Sequence, residues 1–244
     1  MNTQGARSAK LWALVPAAGG GTRFGGATPK QYAPLSGRPL LAWTLDCLRD
    51  ALPLAGIAVN IVPDDAHYDR MIGVRTGVTV LREGGRTRGE TVRNGLQLLA
   101  TSCADDDWIL VHDAARPCVP RAALQRLVAI LEHDAVGGLL AVPVADTLKR
   151  GDDAVDAPRV LRTEDRAQLW RAQTPQMFRY GLLMRALACP GADECTDEAQ
   201  AVEALGLSAR LVQGSRANIK VTFPDDLQLA AAILAAQAND ESPP

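Results

Sequence analysis

Apolar residues fall along the chain in two alternating rhythms. Short, nearly continuous runs at 11–15, 56–63, 78–81, 108–112 and 138–144 read as strands buried on both faces. Between them, apolar positions return every three or four residues, the period of a helix with one buried face. Leu40, Leu41, Trp43, Leu45 and Leu48 form one such series, with Pro39 suited to its first turn. Leu124, Leu127, Val128 and Leu131 form another, in a helix expected over 120–133. A short helix is expected over 64–72 and a longer one starting near Glu90. Further helices are expected over 180–188 and 224–238, with late strands over 209–213 and 218–221. Strand and helix in alternation predict an α/β chain with a doubly wound, mostly parallel, Rossmann-like sheet. No repeat or low-complexity linker divides it, so residues 1–244 are expected to form one domain with a frayed start over 1–10.

One stretch breaks the rhythm. Residues 145–170 are highly charged, turn at Gly151-Asp152-Asp153, and carry strand-like runs on either side. They read as a hairpin arm leaving the main body. Val155, Val160 and Leu161 on it require cover, because an isolated hairpin is at best marginally stable in water.

Composition narrows the class. Hydrophobic residues make up 47% of the chain and charged residues 22%, values that suit a water-soluble globular core. The net charge of −2 leaves no general basic surface for nucleic acid. Five dispersed cysteines without C-x-x-C spacing argue against a zinc site or a disulfide framework and fit a reducing cytoplasm. Residues 1–10 lack an apolar signal core, and the most apolar late run, 229–236, is too short to span a bilayer.

The chemistry begins where the first strand ends. Pro16, Ala17, Ala18, Gly19, Gly20 and Gly21 let a ligand approach the backbone and let successive N–H groups converge on an anion. Arg23 and Lys30 follow, which makes this a loop for a polyphosphate. It is neither of the common phosphate loops. Phe24 stands where the dinucleotide fingerprint needs its third glycine, and no Gly-Lys-Ser/Thr closes a Walker loop. Gly84 and Gly85 mark a second loop after a strand, before the helix near Glu90. Asp113 stands at the carboxyl end of another strand. A lone carboxylate beside a phosphate loop suits Mg²⁺, which completes its shell with phosphate oxygens and water; capping the turn is its alternative role. His112, within the strand, reads as a hydrogen-bonded structural histidine. Lys220, a cation in the apolar run NIKVT, needs a partner if buried.

These stretches resemble nucleotidyltransferases that join a nucleotide to a sugar or polyol phosphate, whose first loop reads P-A-A-G-x-G-x-R followed by P-K-Q-Y/F. The Pro29-Lys30-Gln31-Tyr32 ending is most similar to the 2-C-methyl-D-erythritol 4-phosphate cytidylyltransferases of the non-mevalonate isoprenoid pathway. The resemblance extends through the glycine pair with Arg88 and Thr91-Val92, through V-H-D-A-A-R-P, D-T-x-K, D-R-x-x-L-W, A-Q-T-P-Q-M-F, T-D-E and N-I-K-V-T, over roughly residues 11–236. Arg86 stands where some members carry an acid.

The resemblance implies roles. Arg23, Lys30 and Lys220 would be catalytic, around the α-phosphate of CTP. Ala17, Ala18, Gly19, Gly20, Gly21, Gly84, Gly85, Arg88 and Thr91 would bind the nucleotide. Asp113 would hold Mg²⁺ and, with Arg116, Thr147 and Arg166, bind the acceptor. Thr196-Asp197-Glu198 reads as a helix start with a capping hydroxyl, mainly structural, with a supporting role near the pocket as the alternative. A homodimer through the 145–170 arm is implied, each arm completing its partner's acceptor pocket. The other readings are a cytidylyltransferase for another polyol phosphate such as ribitol 5-phosphate, a glycosyltransferase, and a non-catalytic nucleotide sensor. The glycosyltransferase is disfavoured by the absence of D-x-D at the strand end. The sensor would not need three such cations.

Overall fold

The computed structural model describes residues 8–21, 24–25, 28–154 and 156–240; Arg23 and Val155 fall outside them. The described chain runs β1 (Leu11–Pro16), β2 (Pro34–Leu35), β3 (Arg38–Pro39), α1 (Leu40–Ala51), β4 (Gly56–Asn60), α2 (Tyr68–Met71) and β5 (Val78–Leu81). It continues with α3 (Arg88–Leu98), β6 (Trp108–Val111), α4 (Arg121–Leu131), β7 (Gly137–Pro143), β8 (Leu148–Gly151), β9 (Val160–Glu164) and β10 (Trp170–Arg179). It ends with α5 (Tyr180–Leu187), α6 (Glu198–Glu203), β11 (Arg210–Gln213) and α7 (Asp226–Asp240).

Among the described residues, seven strands form one sheet in the order β11-β7-β10-β6-β1-β4-β5. All pairings are parallel except those of β10, which runs antiparallel to both β6 and β7. The α/β expectation holds. Alternate residues of the central strands feed opposite faces. Ala13, Val15, Ile57, Val59 and Leu110 enter the core under α1 and α4, while Leu14, Ala58, Ile109 and Val111 enter the core under α3, α5 and α6. Burial on both faces is why these strands are continuous apolar runs. A third cluster, with Leu35, Leu40, Cys118 and Val221, seats α7.

The 145–170 arm is a hairpin, with β8 antiparallel to β9 and Leu148 opposite Glu164. Glu164 pairs with Arg150 and Arg162 on its surface. Val160 and Leu161 are 62% and 64% exposed, so the described residues of the chain do not cover them.

Four local expectations are corrected. Pro39 is the residue preceding α1, not part of its first turn. The short helix spans only Tyr68–Met71, because the Asp65 carboxylate accepts the N–H groups of His67 and Tyr68 and fixes a turn before it. The cap of α6 is Asp197, whose carboxylate accepts the Gln200 N–H at 2.9 Å; Thr196 instead bonds the Gln200 side chain. Residues 218–221 are not a strand. Their backbone docks on the loop after β6, with the Val221 N–H on the Ala115 carbonyl, so no sheet neighbour is left to pair.

Candidate active site

In this sheet β1 lies between β4 and β6, and the connections run outward from it in both directions. Open α/β sheets bind ligands outside the carboxyl ends of the strands at such a point. The glycine loop follows β1 there, and Asp113 follows β6.

The glycine loop is pinned at its first residue. The Ala17 N–H donates to the Asn60 carbonyl at 2.8 Å, and buried Gln31 donates to the Ala17 carbonyl at 2.7 Å. Gln31 of the P-K-Q-Y run thus braces the loop from within, at the edge of the cleft. Among the described residues, a Cβ placed on Gly19 or Gly20 meets no atom within 4 Å. The described residues make no packing demand for glycine at either position, and what the absent side chains leave among them is open room beside the backbone. Gly21 differs: its φ is +65°, and a Cβ there would lie 2.8 Å from that of Lys30.

The second loop leans on the first. A Cβ on Gly84 would fall 2.3 Å from the Ala18 Cβ and 2.7 Å from the Ile61 carbonyl oxygen. Thr87 caps α3 by accepting the Glu90 N–H at 3.0 Å. The Thr91 hydroxyl accepts the Gly85 N–H at 3.0 Å and donates to the Thr87 carbonyl at 2.9 Å, holding the loop to its helix. Between the two loops and the end of β6 opens a cleft of about 320 Å³. Lys30 and Lys220 line it, with Arg88 and Asp113.

Asp113 gathers the charge. Arg88 Nε donates to its Oδ1 at 3.0 Å, Lys220 Nζ lies 3.0 Å from Oδ2, and Arg116 Nε donates to Oδ2 at 3.3 Å. Burial alone would raise this carboxyl, but Arg88, Lys220 and Arg116 hold it far below the usual carboxylate range. Arg88 is itself gripped from behind, its two terminal nitrogens donating to Glu198 Oε1 and Oε2 at 2.6 and 3.0 Å. Burial opposes the Arg88 charge, and the Glu198 and Asp113 carboxylates more than restore it. Arg116 Nη1 donates to the Asn218 carbonyl at 2.8 Å, which ties the loop carrying Lys220 to the loop carrying Asp113.

His112 lies beneath, fully buried, and burial pushes its pKa down to about 4. The neutral ring donates from Nε2 to the Arg116 carbonyl at 3.0 Å and accepts at Nδ1 from the Thr174 hydroxyl at 3.1 Å. The Thr174 oxygen accepts the Asp113 N–H at 3.0 Å. Both ring nitrogens are therefore spent within the protein, one on the Arg116 carbonyl and one on the hydroxyl that holds the Asp113 N–H, as the structural reading of His112 requires.

Ala17, Ala18, Gly19, Gly20, Gly21, Lys30, Gly85, Arg88, Thr91, Asp113 and Lys220 all line the cleft, as do Arg86 and Thr87. Lys220 is not buried: its side chain is 41% exposed, and its partner within the protein is Asp113. Thr147 and Arg166 lie elsewhere, at a hollow on the arm with Glu164 and Asp165, where Arg166 donates to the Ala145 carbonyl. Glu198 and Thr174 complete the site: Glu198 from the T-D-E run, read as mainly structural with a supporting role near the pocket as its alternative, and Thr174 from A-Q-T-P-Q-M-F, to which no role was attached. Among the described residues no three of His, Cys, Asp and Glu cluster as a metal cage. A divalent cation at Asp113 would have one protein carboxylate and would need phosphate oxygens to complete its shell, which is the coordination habit of Mg²⁺. The donor set fits that ion on those terms.

Phosphate-sized room beside bare backbone, cations on both walls and one carboxylate at the strand end define an α/β nucleotidyltransferase. The family model for IspD, 2-C-methyl-D-erythritol 4-phosphate cytidylyltransferase, matches residues 11–236, and the chain belongs to that family. The 2-C-methyl-D-erythritol 4-phosphate cytidylyltransferase of Dechloromonas aromatica is 53% identical over 231 residues, covering 93% of this chain and 98% of its own. That of Laribacter hongkongensis is 55% identical over 223 residues, covering 91% and 95%. A crystal structure of 4-diphosphocytidyl-2C-methyl-D-erythritol synthase superposes with a TM-score of 0.82 at 42% identity, over 94% of this chain and 100% of that one. The Francisella tularensis enzyme superposes with a TM-score of 0.77 at 33% identity, over 92% of this chain and 100% of its own.

Proposed function

We propose that this chain transfers the cytidylyl group of CTP to 2-C-methyl-D-erythritol 4-phosphate, giving 4-diphosphocytidyl-2-C-methyl-D-erythritol and pyrophosphate. The observation that carries the reading is the cleft between the glycine loop and Asp113, with Lys30 and Lys220 on its walls. An oxygen of the acceptor phosphate attacks the α-phosphorus, and the bond from that phosphorus to the bridging oxygen of the leaving pyrophosphate breaks. A phosphate monoester has its second pKa near 6 and is already an anion at neutral pH, so no general base is required. Neutral, fully hydrogen-bonded His112 accords with this. The barrier lies in bringing one anion against another, and catalysis is positioning with charge neutralisation.

In this reading the backbone of residues 17–21 cradles the triphosphate, and Arg23, Lys30 and Lys220 surround the α-phosphate. Gly84, Gly85, Arg88 and Thr91 form the cytosine side. Arg116 faces the acceptor phosphate, and Thr147 and Arg166 reach the acceptor from the arm of a second copy in a homodimer. Asp113, with the substrate phosphates, would hold Mg²⁺, and the ion would supply further neutralisation of their charge when bound. Five free cysteines suit a reducing cytoplasm, and among the described residues no helix is long and apolar enough to cross a membrane.

The test is pyrophosphate release with Mg²⁺, for CTP, UTP and ATP against 2-C-methyl-D-erythritol 4-phosphate and ribitol 5-phosphate. Turnover is expected with CTP and the methylerythritol phosphate, lost with EDTA and reduced severely in Asp113→Asn. Equal rates with UTP or ATP, or preference for ribitol 5-phosphate, would overturn the substrate assignment. Near-normal turnover in EDTA would overturn the metal.

A further inference from the structure

The side chain of one arginine close to the site has no partner among the described residues. Arg171 on β10 is exposed, and among the described residues its side chain makes no hydrogen bond or ion pair. Its strand places it. Because β10 is antiparallel, its first residues lie at the carboxyl end of the parallel strands, Arg171 opposite Val142 near the end of β7. That is the end of the sheet where ligands bind.

Strand alternation gives its face. Trp170 and Ala172 border a hollow with Ala199 and Gln200 of α6. Arg171 and Gln173 take the opposite side. Gln173 Nε2 donates to the carbonyls of Ser215 and Asn218 at 2.8 and 3.4 Å, and Arg116 donates to that same Asn218 carbonyl. Arg171 is also near enough to Arg116 for the two charges to repel.

The local charge does not balance. Arg88, Arg116, Lys220 and Arg171 stand against the carboxylates of Asp113 and Glu198, which leaves two positive charges uncompensated. Arg116 is largely committed to Asp113 and Asn218, whereas the whole donor fork of Arg171 is available. A phosphate monoester brings close to two negative charges and three acceptor oxygens. Seated between the two guanidiniums, it would turn a repulsion into two charge-assisted contacts.

We infer that Arg171 is a further acceptor-binding residue, taking the phosphate monoester of the acceptor together with Arg116. This rests on the reading of Arg116 as an acceptor contact. A planar guanidinium can grip two oxygens of one phosphate, which an ammonium cannot do as well.

The test is steady-state kinetics of Arg171→Ala and Arg171→Lys with 2-C-methyl-D-erythritol 4-phosphate and CTP, with inorganic phosphate as a competitor of the acceptor. In Arg171→Ala the acceptor KM should rise about tenfold or more, the equivalent of one charged hydrogen bond. The KM for CTP and the melting temperature should stay near wild type. Arg171→Lys should recover part of the loss, and inorganic phosphate should inhibit wild type more strongly than Arg171→Ala. An unchanged acceptor KM in Arg171→Ala, or equal inhibition of both by phosphate, would overturn the inference while leaving the cytidylyl-transfer reading intact. A wild-type protein that releases no pyrophosphate would overturn both.

Discussion

Glu198 is 1% exposed, and both of its oxygens hold the guanidinium whose third nitrogen reaches Asp113. Its effect on the cleft therefore passes through Arg88. Replacing it by Gln keeps the shape and removes the charge, leaving Arg88 short of a buried counter-ion. Loss of a charged hydrogen bond of this kind costs about 1.5–3 kcal/mol. We expect Glu198→Gln to lose stability in that range by chemical denaturation and to raise the KM for CTP about tenfold, since Arg88 would no longer be held in one place. A variant with wild-type stability and wild-type KM would show that Arg88 does not depend on this clamp. Lys30, Arg88, Asp113 and Lys220 were legible in the sequence because each sits in a short run whose neighbours announce a loop or a strand end. The Arg88–Glu198 pairing was not, because the partners are 110 positions apart and meet only through the packing of α3 and α6 on one face of the sheet.

The two glycine loops behave as one unit, and their glycines separate two kinds of demand. Among the described residues Gly19 has no neighbour for a Cβ, while a Cβ on Gly84 overlaps Ala18 and the Ile61 carbonyl. Gly19→Ala should leave the melting temperature unchanged and raise the KM for CTP, because the methyl occupies room meant for the ligand. Gly84→Ala should cost about 1–3 kcal/mol of stability, since overpacking displaces backbone. Calorimetry and kinetics on both variants check the pair; a destabilised Gly19→Ala with normal kinetics would reverse the assignment. Elements buried on both faces, such as β1 and β6, were readable as apolar runs. β10 was not, because three of its buried residues are polar. Gln173 pairs with Asn218, Thr174 with His112 and Asp113, and Gln176 with Asp197 and the Ala199 N–H. These contacts stabilise a strand that no hydrophobic pattern marks.

For the molecule as a whole, the arm decides whether one chain can make a complete site. Thr147 and Arg166 sit at the arm and not in the cleft, and Val160 and Leu161 are uncovered. A second copy related by a two-fold axis would supply cover and place the arm residues at a neighbouring cleft. Arg166→Ala and Lys30→Ala should each be nearly inactive alone. Mixed after subunit exchange, they should recover about a quarter of wild-type activity, because half the dimers then contain one intact site. Mixed dimers that stay inactive despite confirmed exchange, or a monomer by light scattering, would rule the shared site out. The reversed direction of β10 has a consequence for such an arrangement. The chain leaves β7 and enters β10 at the same end of the sheet, so whatever is spliced between them has no need to traverse the body. The segment is a detachable tool head on a fixed handle. Exchanging it for a hairpin of other length and lining would re-aim the protein at a different alcohol phosphate, with the strand order, the cores and the grip on the nucleotide carried over unchanged.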